Sequence, residues 1–406
     1  MGAGLRVNLL RLSRLPNAEP PVSILATEHG HAMNTQAEKR KPRNRYSSRY
    51  LDSFRQEGDP LADAVVAAMD GRVRENLLSR VEIRARREGG VYREFLEACH
   101  DVPRWAEFDA MEPGRRIGFK YAPVVGVALM AGSLVEGYAL GNAAQVLVST
   151  GRLTQDVRRR LHETSDFVYK LALPGGIRPG GEGHRGMMKV RLLHAMIRAH
   201  LRDSPRWDRE TLGLPINQED MAITLIQFSF EVRRGLTRLG ILLSDEEQDS
   251  QHLFWRYAGH VLGVHPALLT RTRQQEEQLY EAITRRQRRV TENSIALTRA
   301  VLDGMAGLPP FYIPRATMYQ ISRRLLGNEL ADELRIPKSL LNRGAVKAAT
   351  LATRTLKRTE RSLPLLGVAL YQLGNLYLSH AVPAGLDGHS ADYRAHFATM
   401  RRGETQ

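Results

Sequence analysis

Between Lys189 and Arg202 the chain reads Lys-Val-Arg-Leu-Leu-His-Ala-Met-Ile-Arg-Ala-His-Leu-Arg. On a helix, Arg191, His194 and Arg198 fall at i, i+3 and i+7 and point to one side. Leu193, Met196, Ile197 and Leu201 supply apolar surroundings. A neutral imidazole in such a wall can ligate haem iron, and guanidinium groups one turn away can pair with haem propionates. The same residues also suit a histidine satisfied inside a core, which is the commoner use of a lone His among apolar neighbours.

Other chemistries fail on residue type or spacing. Cys99 is the single cysteine, which excludes an intramolecular disulfide, a four-cysteine iron–sulfur site and a cysteine-rich zinc site within one chain. No Cys-x-x-Cys-His occurs, so any haem is held non-covalently. His162-Glu163 begins like a His-Glu-x-x-His zinc motif but does not complete it, and no Gly-x-Ser-x-Gly elbow is present. His260 and His265 are five apart and flank a glycine, which makes a poor metal pair. The stretch Pro174 to Gly181 holds four glycines and two prolines, yet no Gly-Lys-Ser/Thr follows; it reads as a hinge between helices.

The elements that must position these residues are helical. Abundant Ala, Leu and Arg with 6% aromatics favour helices over a β-sandwich. Asp63 to Arg87 carries a helical apolar stripe, and Tyr121 to Thr150 reads as a buried core segment. Thr154 stands at an N-cap position for a helix running to about Leu173. Asn217 caps a run opening Gln-Glu-Asp, and Ser244 with Glu247 forms a capping box. Gln274 to Leu302 reads as one long charged helix, and Leu363 to Ala381 is apolar enough to be buried. The expected division is a disordered basic leader over 1–50, a single helical domain over 51–390 and a tail over 391–406.

The formal net charge is +15, which raises nucleic acid as a partner. Residues 1–50 carry nine Lys/Arg and three Asp/Glu, a net of +6, leaving +9 over the other 356 residues. Most of those cations sit beside acids at helical spacing, the pattern of solvated faces, and no nucleic acid is expected. The longest apolar run, from Val124 to Val135, is stopped by Glu136, so no transmembrane helix is expected. The N-terminus has no adequate apolar signal region, Met33 is an alternative start, and a cytoplasmic location is expected.

The run Val190-Arg191-Leu192-Leu193-His194-Ala195-Met196-Ile197-Arg198 resembles the Arg-x-x-His-x-x-x-Arg signature of the latex-clearing protein and MpaB oxygenase family. Three further segments resemble that family in the same order: Gly213 to Asp220, Ser244 to Val264, and Arg324 to Pro337. The resemblance spans roughly residues 100–340. It implies an all-α, extended globin-like bundle enclosing haem b, which uses dioxygen on an apolar, alkene-containing small molecule or polymer. It implies His194 as the axial iron ligand, with Arg191 and Arg198 supporting the haem or its propionates.

The family's distal Arg-x-x-Lys-Thr pattern matches Arg160-Leu161-His162-Glu163-Thr164, which gives Arg160, Glu163 and Thr164 as candidate catalytic residues. Glu163 stands where the family has lysine, and Ala144 falls where it has a catalytic glutamate; Glu136 is the nearest acid, eight residues away. These departures make polyisoprene itself an unsafe substrate. They leave a second expectation, a haem-binding sensor or carrier without oxidative turnover.

Overall fold

The computed structural model describes residues 45–69, 76–149, 157–205, 207–308, 311–384 and 386. Side-chain caps start many of its helices. Ser47 accepts the Tyr50 N–H at the head of α1 (Ser48–Phe54), and Asp59 accepts that of Ala62 at the head of α2 (Pro60–Ala68). Amphipathic α3 (Leu77–Arg87) and α4 (Gly90–His100) follow. A short 3₁₀ turn leads into α5 (Glu112–Lys120), α6 (Ala122–Val127), α7 (Leu134–Tyr138) and α8 (Gly141–Ser149).

Next come α9 (Val157–Ala172) and α10 (Glu182–Arg202), then short α11 (Arg209–Leu212), α12 (Gln218–Ile226) and α13 (Val232–Arg238). Asn217 accepts the Asp220 N–H as expected, and the Ser244–Glu247 capping box opens α14 (Asp245–Val261). The Thr154 cap lies outside the described residues. The chain continues through α15 (Arg273–Gln287), α16 (Glu292–Met305), α17 (Arg315–Leu326), α18 (Asn328–Glu333), α19 (Leu340–Ser362) and α20 (Pro364–Ala384).

The described residues are all-helical; among them the only β pairing is an isolated bridge between Leu140 and Arg288. No single described helix is long and apolar enough to cross a membrane. One core cluster joins α6–α8 to α16 and α17 through Ala131, Val135, Tyr138, Leu297, Val301 and Met318. Another fastens α10 to α2–α4 through Met188, Leu192 and Ala195 against Val65, Val81 and Phe95. Two π-helical turns, Ala128–Ser133 and Gln227–Glu231, meet in the interior, where the Ser133 hydroxyl donates to the Gln227 carbonyl at 2.7 Å.

Four expectations change. Gln274 to Leu302 is two helices, because Thr291 and Ser294 cap a new start and the Arg289 N–H donates to the Ala139 carbonyl. The stripe from Asp63 to Arg87 is likewise shared between α2 and α3, with 70–75 outside the described residues. Residues 45–50 belong to the fold rather than to a leader: Tyr46 is buried, and Tyr46, Tyr50 and Phe54 form a ladder of ring contacts ending on His265. Met33 and residues 391–406 lie outside the described residues.

The fourth change concerns α20, which was expected in the core. It buries only Gly367, Gly374 and Val382 and leaves an outer stripe of leucines in solvent. Its approach to α5 passes through Gly374, where any Cβ would strike the Phe119 carbonyl. A close, narrow backbone contact of this kind holds a helix without covering it.

Candidate functional site

His194 sits at the middle of α10 with its flanking arginines fixed on both sides. Arg191 donates through Nε and Nη2 to the two Asp59 oxygens at 2.6 and 3.0 Å, and through Nη1 to the Val261 carbonyl at 3.3 Å. Arg198 donates through Nε to Asp63 at 2.9 Å and through Nη1 to the Ile216 carbonyl at 2.6 Å. Both guanidiniums are buried. Asp59 and Asp63 are four apart in the first turn of α2, so the two pairs clamp that turn onto α10.

The charges of Arg191 and Arg198 are met by Asp59 and Asp63, which tie the helix that carries His194 to α2. Gly263 belongs to the same clamp. It has φ of +82°, and a Cβ there would lie 2.5 Å from Arg191 Nε and against the Asp59 carboxylate.

The His194 ring has a different character. Its Nδ1 is buried and has no hydrogen-bond partner. The side chain is largely enclosed by protein. Burial, then the charges of Arg198 and Arg160, push its pKa down to about 4 against the opposing effect of Asp59. The imidazole is therefore neutral at physiological pH, the state a metal ligand requires.

Across from α10 stands α9. A turn over 173–181 reverses the chain, so Gly183 meets Leu171 while the Arg160 charge acts on His194. The same charge acts on Tyr138, a fully buried residue whose hydroxyl has no partner and whose pKa is driven up by burial. Glu163 is buried and ion-paired with Arg159 at 3.5 Å and Arg160 at 3.9 Å. The Thr164 hydroxyl donates to the Arg160 carbonyl one turn back at 3.1 Å.

The structure thus brings Arg160 into electrostatic reach of His194 and places Glu163 and Thr164 beside it on α9. Ala144 lies in the apolar core. Glu136 is directed away from this group: Tyr280 donates to one of its oxygens and Arg234 to the other at 2.6 Å, with Glu231 on the same Arg234 at 2.5 Å. Glu231 is pushed well above the usual carboxylate range by burial and by Glu136. A base tied into such a network is structural. The described residues contain no group of three or more His, Cys, Asp or Glu placed to hold a metal ion.

A cavity of about 60 Å³ lies along the next face of α9. Leu161, His162 and Ser165 wall it on one side, Met130 and Met305 below, and Tyr377, Leu378 and Val382 of α20 close it. Sequence reasoning missed Asp59, Asp63, Tyr138 and Tyr377. Of these only Asp59 carried a signal, an Asp-Pro pair at a helix start.

The catalytic-domain model described as ER-bound oxygenase mpaB/B'/Rubber oxygenase matches residues 120–358, more than half of the chain and all of α9 and α10. This chain belongs to that oxygenase family. A curated relative, the rubber oxygenase of Streptomyces sp. (strain K30), is 26% identical over 256 residues. The match covers 61% of this chain and 61% of the rubber oxygenase, so the chain spans under two thirds of that relative's length. The solved structure of latex clearing protein in the closed state superposes with a TM-score of 0.61 at 20% identity, over 78% of this chain and 88% of that one. At that identity the likeness establishes a shared fold. Asp59, Asp63 and the whole of α20 lie outside the segment matched by the mpaB/rubber oxygenase model.

Proposed function

We propose that this member of the mpaB/rubber oxygenase family is a haem b-dependent oxygenase that uses dioxygen on an apolar, alkene-containing substrate of isoprenoid or lipid-like character. The observation that carries the reading is His194, an enclosed neutral imidazole that makes no bond through Nδ1, which fits an axial iron ligand. When bound, haem supplies the iron centre at which dioxygen is activated.

The protein's own groups have separable tasks. Arg191 and Arg198 hold the helix in register, so the imidazole is presented by a fixed backbone rather than a mobile loop. Arg160 places a half-buried positive charge on the opposite wall, suited to a propionate or to negative charge developing on oxygen. Glu163 orients Arg160 and offsets part of its charge. Tyr138, whose buried hydroxyl has no partner, is a nearby group able to donate a hydrogen bond, and Thr164 could do so only by giving up its bond to the Arg160 carbonyl. The mainly apolar cavity beside α9 is too small as it stands for a hydrocarbon chain and would have to widen, by movement of α20, to admit one.

A second reading, a haem-binding sensor or carrier without turnover, is favoured by one observation: Glu163 is fixed by Arg159 and Arg160, and Ala144 stands in the apolar core, so no unengaged carboxylate lies at Arg160 among the described residues. Visible spectra of the purified protein before and after dithionite, alongside His194→Ala, test the cofactor. The expected result is a Soret band that the variant loses; a colourless protein that ignores added hemin refutes both readings. Oxygen uptake with a panel of isoprenoids and unsaturated lipids then separates them.

A further inference from the structure

The large apolar side chains left in solvent are concentrated at one place. Leu340, Leu341 and Leu351 of α19 and Leu365, Leu373 and Leu376 of α20 are all exposed, Leu341 at 86% and Leu365 at 83%; elsewhere in the described residues such side chains are scattered singly. Scattered ones need no explanation, whereas a contiguous group marks an interaction surface. α20 contains no Asp, Glu, Lys or Arg in its 21 residues.

The charge of the chain gathers at the same place. Residues 334–384 contain eight Lys/Arg and one acid, a net of +7, and that acid, Glu360, is buried under Lys120 and Lys357. Arg343, Lys347, Arg354 and Arg358 are exposed along α19 and make no ion pair with any described residue. The expectation that cations sit beside acids therefore fails over this segment.

We propose that the outer face of α19 and α20 docks on an anionic phospholipid bilayer, with the leucines entering the headgroup boundary and the α19 cations resting on lipid phosphates. Leucines interleaved with unpaired cations are the composition of a helix that lies in an interface. Neither helix passes for a membrane span, so the face rests on the bilayer rather than crossing it. A second copy is disfavoured because a two-fold contact would set this basic face against itself. Nucleic acid would use the cations and leave the leucines without a role. The opposite side of α20 carries Tyr377, Leu378 and Val382 into the cavity beside α9, so docking brings the hydrocarbon phase to within one helix of it.

The test is flotation of the full-length protein with vesicles of phosphatidylcholine alone and of phosphatidylcholine mixed with phosphatidylglycerol. Binding is expected only to the mixed vesicles and should weaken on raising the salt. Each cation at a bilayer surface is worth about fivefold in partitioning, so Arg354→Glu with Arg358→Glu should lose on the order of 100-fold or more. Leu365→Ser with Leu376→Ser should also lose most of the binding while leaving the circular dichroism unchanged, because both side chains are already in solvent.

Three results overturn the proposal. One is absence of binding to the mixed vesicles, or equal binding to neutral ones. Another is equally tight binding of duplex RNA that ignores the leucine substitutions. The last is a concentration-dependent dimer abolished by those substitutions. None of these measurements uses haem or turnover, so the outcome is independent of the oxygenase reading.

Discussion

Replacing Arg191 with methionine removes one member of an ion pair whose side chains are 6% and 3% exposed. The pair is bidentate, at 2.6 and 3.0 Å, and no water-exposed rim relieves a charge left behind. A buried carboxylate stripped of its partner costs about 3–5 kcal/mol, mostly as the penalty of an uncompensated charge. Asp59 also caps α2, a contribution of about 1 kcal/mol that Asp59→Asn retains. Urea unfolding of Arg191→Met, Asp59→Asn and the double variant, followed by circular dichroism, forms a closed cycle. The double variant should cost less than the sum of the singles by about 1–3 kcal/mol, since the second change removes the orphan created by the first. If Arg191→Met costs under about 1 kcal/mol and the changes add, the clamp between α2 and α10 is not what fixes His194. Haem affinity in folded Arg191→Met separates the two roles: a positioning residue alters it modestly, whereas a direct propionate partner alters it even where the fold is intact.

Other consequences follow from burial and close contact. Asp220 is enclosed, and burial raises its pKa to about 7 despite hydrogen bonds from Asn142 and Gln287. A raised acid contributes stability that is complete below its unfolded value and is lost as pH rises through the folded one. Between about pH 4 and 7 the loss should approach about 4 kcal/mol, and Asp220→Asn, which keeps the accepting oxygen, should flatten the profile; an unchanged slope refutes the assignment. Gly263→Ala should destabilise by about 2–4 kcal/mol, combining a left-handed backbone with a clash at Arg191 and Asp59, and should cost less in the Arg191→Met background, where the backbone and Asp59 contributions remain. A neutral Gly263→Ala in thermal melts would show that the clamp is slack. Glu163→Lys, which restores the family's residue, places a third cation beside Arg159 and Arg160 at a buried position and should lower stability by at least about 2 kcal/mol; equal or greater stability by urea titration would mean that Glu163 is not held there by charge.

What could be read from the sequence divides along the range of the forces involved. Caps such as Asn217 and Ser244 act over three residues, and both stand where spacing placed them. The split near Val290 escaped notice because charged periodicity continues across it, and the break is secured by Ala139 and Leu140 from another part of the chain. Composition marked Leu363–Ala381 as apolar but carries no information about whether a partner face exists. His194 was legible from its family pattern, whereas the partners that fix its neighbours stand 132 and 135 residues away, a separation at which spacing has no meaning. Thr164 is marked as a candidate catalytic residue by its family pattern, and spacing gives no sign that its hydroxyl donates to the Arg160 carbonyl of its own helix, as threonine in a helix commonly does.

The mpaB/rubber oxygenase segment and the folded unit are not the same object. Residues 120–358 contain His194, Arg160 and both arginines of the clamp, but the aspartates that neutralise those arginines come from α2. Without them two buried guanidiniums would face each other's field across seven residues of helix, with His194 between them and already depressed by one of those charges. The same holds at the other end: α20, also outside the segment, closes the cavity beside α9 with four of its side chains. The segment therefore supplies the groups suited to chemistry, and flanking helices supply the charge balance and the wall. In this chain a capped α2 and an apolar α20 act on the site from outside the segment that the family model matches.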